Sequence, residues 1–351
     1  MLKRGLVAAS FLLGSIAVAA PVSATSSSCA AGSTPSVCLA SLPTADVIAT
    51  SIAAAHDLTA LPKTSPSLNF LSNMTTGSRS FFMPAGRCNQ VAQMADSSPP
   101  SIKDCTFGKA NAPSSHTIFL TGDSRAVMWT TTLAKLASVL QWRLVVMAKP
   151  GCVSQSGSLT YLNVPGRPGP WLACDKFRTA VMNYVSTIKP ALVIVASNAS
   201  ASLADGRKTS GLPQVGHDIT YSYLSQLKSK DATGTFVALT SFPLVTNSSG
   251  GANPVACLNA HKANIKTCDV RPRGGSSDEA VGVATTQAAV EAGYAIVSQR
   301  DWLCDATCPA VINGMIPYDR DGMHINTVYS GYLMGVLWRA LANVPNSPLP
   351  I

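Results

Sequence analysis

Three side chains, far apart in the chain, have the types that serine-based acyl transfer needs. One is Ser124 in the run Thr117–Arg125, TIFLTGDSR. The others are Asp321 and His324 in YDRDGMHINTVYSGYLMGVLWRAL. A serine hydroxyl is a weak nucleophile until a neighbouring base takes its proton. An imidazole does this when a carboxylate holds its other nitrogen. Asp321 and His324 are three residues apart, and i, i+3 side chains in a helical turn point the same way. Asp321 is therefore expected to accept the Nδ1–H of His324, leaving Nε2 for Ser124. Such a triad is defined by geometry and not by chain order. Asp319 is a rival carboxylate two residues before Asp321. Taken singly, Gly-Asp-Ser is also ordinary turn and N-cap chemistry, and His324 an ordinary residue packing on the last helix. The pairing of the two is what points to catalysis. Arg125 either binds an anionic substrate group or is a solvated first-turn residue. His56, His116, His217 and His261 have no motif around them and read as surface or core residues. Trp129, Trp142 and Trp171 read as packing rather than sugar platforms.

These side chains need elements to position them. Ile118–Leu120 is an apolar β-type run that breaks at Gly122-Asp123-Ser124. A helical pattern follows, with Val127, Leu133, Leu136 and Leu140 at i, i+3 and i+4 spacings. Ser124 then stands at a strand's carboxyl end, its amide at a helix N-terminus that favours negative charge. From Ser115 on, strands and helices alternate, as in a parallel sheet with helices on both faces. The expected strands are His116–Thr121, Arg143–Ala148, Ala191–Ala196, Thr235–Thr240 and Ala295–Ser298. The expected helices are Arg125–Leu140, Cys174–Ile188, His217–Lys228, Ser277–Ala292 and Asn326–Val344. Ser276 and Glu279 have capping-box spacing before the fourth. Upstream, Ala45–Leu58 reads as a short amphipathic helix. Pro62, Pro66 and Gly77 then break the pattern, and 86–111 is polar.

Composition bounds the setting. Low charge content, 12%, with normal apolar content argues for a globular protein and against disorder. The formal charge of +9 suits either an acidic polymer partner or mere solubility. No aromatic–basic interleaving of the nucleic-acid-binding kind occurs, so no nucleic-acid partner is expected. Met1–Ala24 reads as a secretory signal: Lys3 and Arg4, an apolar run, then Val22-Ser23-Ala24 as a small-x-small cleavage site. No later stretch is expected to reach the length of a membrane span. The ten cysteines fit export: Cys29, Cys38, Cys88, Cys105, Cys152, Cys174, Cys257, Cys268, Cys304 and Cys308. Their even number and local spacing suggest bridges between sequence neighbours, though spacing does not prove connectivity. Without a CxxC or a nearby histidine, they make a poor metal set.

Together these residues resemble the SGNH (GDSL-like) hydrolase superfamily, and within it the SGNH domain C-terminal to membrane acyltransferase-3 proteins. The segments carrying the resemblance are LTGDSRAVMW, the KPGC around Cys152, CDKFRTAVMNYVSTIKPALVIVAS, TSFPLV and CPAVINGMIPYDRDGMHI. They span about Asn89 to Ala342. Two positions depart from the pattern. Relatives usually read GDSH where this chain has Arg125 in fourth place, and Gly-x-Asn where it has Ala196-Ser197-Asn198. The resemblance implies an α/β three-layer sandwich around a mostly parallel, flavodoxin-like sheet. With the signal read at 1–24, the expected domains are a disulfide-stapled extension at 25–112 and an SGNH-like domain at 113–346. The residues themselves offer an oxyanion hole from the Ser124 and Gly151 backbone amides, with the Asn198 side chain, at the family's Gly-x-Asn position, as a third donor. Gly151 is otherwise a turn glycine, and Asn198 a solvated loop residue. The implied function is a secreted esterase or O-acyltransferase acting on O-acyl, above all O-acetyl, groups of cell-envelope carbohydrate. A membrane acyl-donor acyltransferase is the implied partner, and no cofactor is implied. The alternatives are a non-catalytic carbohydrate-binding module on the same fold and a lipase-like esterase. No apolar lid stretch supports the last.

Overall fold

The computed structural model describes residues 33–74, 101–160, 169–240, 245–247, 253–272 and 277–351. The expected signal at Met1–Ala24, Cys29, Cys88 and the Ser276 cap lie outside the described residues.

The strands are β1 (Thr106–Gly108), β2 (Thr117–Gly122), β3 (Arg143–Ala148), β4 (Leu192–Ala196), β5 (Thr235–Leu239), β6 (Val245–Asn247), β7 (Val270–Pro272) and β8 (Ala295–Val297). Six of them form one sheet in the order β1-β3-β2-β4-β5-β8. All neighbours pair in parallel except β1, which pairs antiparallel with β3 at the edge. Every residue of β2 and β4 is buried, because a sheet covered on both faces selects continuous apolar runs such as Ile118–Leu120 and Leu192–Ala196. The parallel strands take the flavodoxin-like order. Their topological switch point lies between β2 and β4, where crevices open beyond the carboxyl ends of the strands. β6 and β7 pair separately as a short antiparallel ladder.

The helices are α1 (Pro35–Ser41), α2 (Ala45–Ala55), α3 (Leu68–Ser72), α4 (Ser124–Val127), α5 (Thr130–Leu140), α6 (Leu172–Ile188), α7 (Pro213–Lys228), α8 (Pro254–Ala260), α9 (Ser277–Glu291), α10 (Thr327–Tyr332) and α11 (Met334–Ala342). Two expected helices are each broken in two. Arg125–Leu140 breaks at Met128-Trp129, where the fully buried Trp129 indole donates to Gln299 Oε1 at 3.0 Å. A run of three threonines, β-branched and weak helix formers, follows the break. Asn326–Val344 breaks at Leu333.

Residues 35–55 are long and apolar enough to cross a membrane by composition, which corrects the expectation that no later stretch would be. They nevertheless form two helices, α1 and α2, separated at Leu42–Thr44. Leu39, Leu42, Ile48 and Ile52 are buried in the main core. Arg339 on α11 donates to the carbonyls of Leu39, Leu42 and Pro43. Leu68 and Leu71 of α3 join a second cluster with Val255, Leu258 and Ile316.

Disulfides join Cys152 to Cys174, Cys257 to Cys268 and Cys304 to Cys308. These are sequence neighbours, as the spacing suggested. Cys38 and Cys105 are also disulfide-bonded; the pairings expected with Cys29 and Cys88 fall outside the described residues. Bridges of this number belong to an oxidising compartment.

Candidate active site

The turn after β2 is shaped by Gly122. Its φ is +142°, and a Cβ there would collide with the carbonyl oxygen of Ala196 on β4. Only glycine lets the two strand ends approach this closely. Asp123 follows as the N-cap of α4 and is almost fully buried. One of its oxygens accepts from the Arg125 amide at 2.8 Å, the other from the Asn198 amide at 2.9 Å. Burial pushes the Asp123 carboxyl above the ordinary carboxylate range. The two amide hydrogen bonds and the charges of Arg125 and His324 oppose that shift. Asp123 thus clamps the Gly122–Ser124 turn to the end of β4, and Ser124 is presented at the switch point. The Lys149 amide donates to the Gly122 carbonyl at 2.9 Å and fixes the end of β3 beside the same turn.

The other half of the site is the loop before α10. An isolated bridge between Tyr318 and Ile325 closes it, and the Asp319 amide donates to the His324 carbonyl at 2.8 Å. Gly322 takes a positive φ of 65° at the tip. Asp321 Oδ1 accepts from the amides of Met323 and His324 at 2.9 and 3.2 Å. This Asx-type turn aims Oδ2 at His324 Nδ1, 2.8 Å away. A carboxylate only accepts, so Nδ1 carries the proton and Nε2 is free to accept. Nε2 lies 2.7 Å from Ser124 Oγ. The His324 and Asp321 side chains are 9% and 11% exposed, which shelters their pairing from solvent screening. Asn326 caps α10 through the amides of Val328 and Tyr329, both at 3.0 Å, and anchors the loop to the helix.

Of the expected site residues, the structure brings Ser124, Asp321 and His324 into one hydrogen-bonded chain. Between the rival carboxylates, it sets Asp321 against the imidazole; Asp319 is buried and shapes the loop through its backbone. Arg125 is not a solvated first-turn residue. It is 4% exposed and donates to the Met323 carbonyl, tying the turn that carries Ser124 to the loop that carries His324. Burial pushes its guanidinium below the usual range, against the pull of Asp123 and Asp321. Gly151 follows β3 with φ +78°, in the turn closed by the Cys152 amide on the Lys149 carbonyl. Asn198 follows β4; its backbone bonds Asp123, and its side-chain Nδ2 donates to the Ser200 carbonyl at 3.3 Å. Trp129, Trp142 and Trp171 are all buried packing residues.

Sequence reading missed the position of Asp123 in the site and the burial of Lys149 beside it. By sequence Asp123 reads only as turn chemistry; its position depends on an amide from the end of β4, which no local pattern carries. Lys149 is 3% exposed, with Nζ 5.5 Å from the Trp171 ring centroid, a cation–π distance. Lysine in a Lys-Pro-Gly turn ordinarily reads as solvated.

The arrangement can move a proton from Ser124 to His324 while Asp321 holds the imidazole, as nucleophilic acyl transfer requires. No curated protein matches the chain. Among solved structures, the periplasmic domain of a lipopolysaccharide acetyltransferase from Salmonella ser. Paratyphi A is similar. The identity is 12% and the TM-score 0.49, covering 68% of this chain and 86% of that one. Residues 87–339 match the family described as the SGNH domain fused to AT3 domains, and the chain belongs to that family.

Proposed function

We propose that the chain is a serine esterase or O-acyltransferase acting on O-acyl groups, chiefly O-acetyl, of cell-envelope carbohydrate. The observation that carries this is the continuous path from Ser124 Oγ to His324 Nε2 at 2.7 Å and from Nδ1 to Asp321 at 2.8 Å. In this reading Ser124 attacks the ester carbonyl as Nε2 takes its proton. The Ser124 amide, with Gly151 and Asn198 at the neighbouring strand ends, receives the developing oxyanion. The tetrahedral intermediate collapses, imidazolium returns the proton to the leaving alcohol, and an acyl-serine remains. Water or a sugar hydroxyl, deprotonated by His324, then attacks it; the acyl–Oγ bond breaks and His324 returns the proton to Ser124 Oγ. Membership of a family of SGNH domains fused to AT3 domains supports acyl transfer and an acyltransferase partner in the membrane; the carbohydrate is what the resemblance of the sequence implies. The disulfides and the signal-like Met1–Ala24 support action outside the cytoplasm. The extension 25–112 and the SGNH-like 113–346 are read as the two parts of the exported chain. Hydrolysis of a chromogenic acetate ester and release of acetate from acetylated glycan, each compared with Ser124→Ala, test the reading.

A further inference from the structure

A cavity of about 50 Å³ lies beyond the carboxyl ends of β4 and β5, walled by α7 and α9. It adjoins the nucleophile turn through Asn198, which lines the cavity and whose amide bonds Asp123. Most of its polar side chains are already engaged within the protein. Ser197 Oγ accepts from the Ser154 amide at 2.9 Å and donates to the Asn198 carbonyl at 3.3 Å. The Thr285 and Thr286 hydroxyls donate to the Gly282 carbonyl at 3.1 and 2.8 Å.

Two are different. Gln155, 2% exposed, and Thr220, 7% exposed, line the cavity with Oε1 and Oγ1 buried and without a hydrogen-bond partner. Gln155 Nε2 donates to the Ala199 carbonyl at 2.7 Å. This fixes the amide's orientation, since a flip would set two acceptors against each other. Thr220 sits inside a helix, where its hydroxyl ordinarily bonds the preceding turn; here it does not. Buried polar groups left unmet are costly, and native proteins keep few of them. Leu224, Ala289 and Ile296 give the remaining wall an apolar surface.

An acceptor, a hydroxyl that both donates and accepts, and an apolar wall together match a secondary amide ending in a methyl group. The cavity has room for about four heavy atoms at the space one water centre needs, the size of an acetamido group. Resting on the reading that carbohydrate is the substrate, we propose that this cavity is a subsite for the acetamido group of a 2-acetamido sugar. The amide N–H donates to Gln155 Oε1, Thr220 Oγ1 donates to the amide carbonyl, and the methyl meets Leu224, Ala289 and Ile296.

The test is ligand-observed NMR titration of the purified Ser124→Ala protein with methyl glycosides of N-acetylglucosamine, glucosamine and glucose. The acetamido sugar is expected to bind at least roughly tenfold more tightly than the other two, the scale set by a site built around polar groups. Thr220→Val, added to Ser124→Ala, keeps the shape and removes the hydroxyl; it is expected to erase the preference. Ala289→Leu fills the apolar side and is expected to do the same, so the test stands if one variant fails to fold. Equal binding of the three sugars, or a preference surviving in the folded variants, overturns the assignment and leaves the cavity to water. Chromogenic acetate turnover by the unsubstituted protein and by Ser124→Ala is measured alongside. Ser124-dependent turnover with no acetamido preference defeats the subsite alone. A preference lost in Thr220→Val, without Ser124-dependent turnover, defeats the catalytic reading alone.

Discussion

His324 Nε2 lies 2.7 Å from Ser124 Oγ although the two residues are 200 positions apart in the chain. Neither side chain is held by its own segment alone. Asp123 fixes one to β4, Asp321 fixes the other within its loop, and the Arg125–Met323 contact joins the two segments.

The roles of the two carboxylates separate by mutation. Asp321→Asn removes the acceptor for Nδ1–H and is expected to lower kcat on a small acetate ester by on the order of 10⁴-fold, as loss of a triad carboxylate does. Asp319→Asn leaves the Asp321–His324 pair in place, and its kcat loss is expected to be far smaller. Steady-state kinetics of the two folded variants decide the point.

Asp123 acts through position. Asp123→Asn turns one accepting oxygen into a donor facing a backbone N–H, so one arm of the clamp is lost. A misplacement of about 1 Å at the reacting atoms costs roughly 10²-fold. The expected result is therefore a kcat loss of that order with a smaller change in KM. Unchanged kcat would show that the turn holds its shape without the clamp.

Gly122 is needed by the backbone. Gly122→Ala meets both a positive φ and the Ala196 carbonyl. The expected cost is at least about 1–3 kcal/mol of stability, together with loss of activity. Thermal unfolding monitored by circular dichroism measures the first.

Stability carries a pH signature on α7. His217 Nδ1 lies 3.1 Å from Asp218 on its own helix, and Nε2 lies 3.0 Å from Glu291 on α9. Both nitrogens face carboxylates, which suits imidazolium. The hydrogen bond to Asp218, aided by Glu291, raises the His217 pKa. A raised histidine pKa stabilises the fold below the unfolded value of about 6.5, and the gain fades as pH rises through the folded value. His217→Gln is therefore expected to lower Tm by about 1–2 °C near pH 5.5 and by less near pH 8.5, the scale of a partly exposed ion pair. An equal shift at both pH values would count against the ion pair.

The sheet was readable because β2, β3, β4 and β5 are apolar runs bounded by turn residues, and burial on both faces demands such runs. β3 matches its expected range, Arg143–Ala148, at both ends. β1 was not readable: its three residues become a strand only by pairing with the edge of β3. The helix breaks at Met128-Trp129 and Leu333 fall on fully buried residues, where tertiary context weighs against the local helical pattern. In the site, Ser124, Asp321 and His324 could be found because their types and the i, i+3 spacing are local signals. The buried positions of Arg125 and Lys149, both charged residues in exposed-looking turns, depend on neighbours brought by the fold.

Intact-mass spectrometry after brief mixing with an activated acetate ester tests the central claim most directly. The account predicts a protein carrying one acetyl group, mapped to Ser124 by peptide analysis. It also predicts that the adduct is absent from Ser124→Ala and accumulates more slowly in His324→Ala. An adduct on another residue, or ester turnover by Ser124→Ala equal to that of the unsubstituted protein, would contradict it.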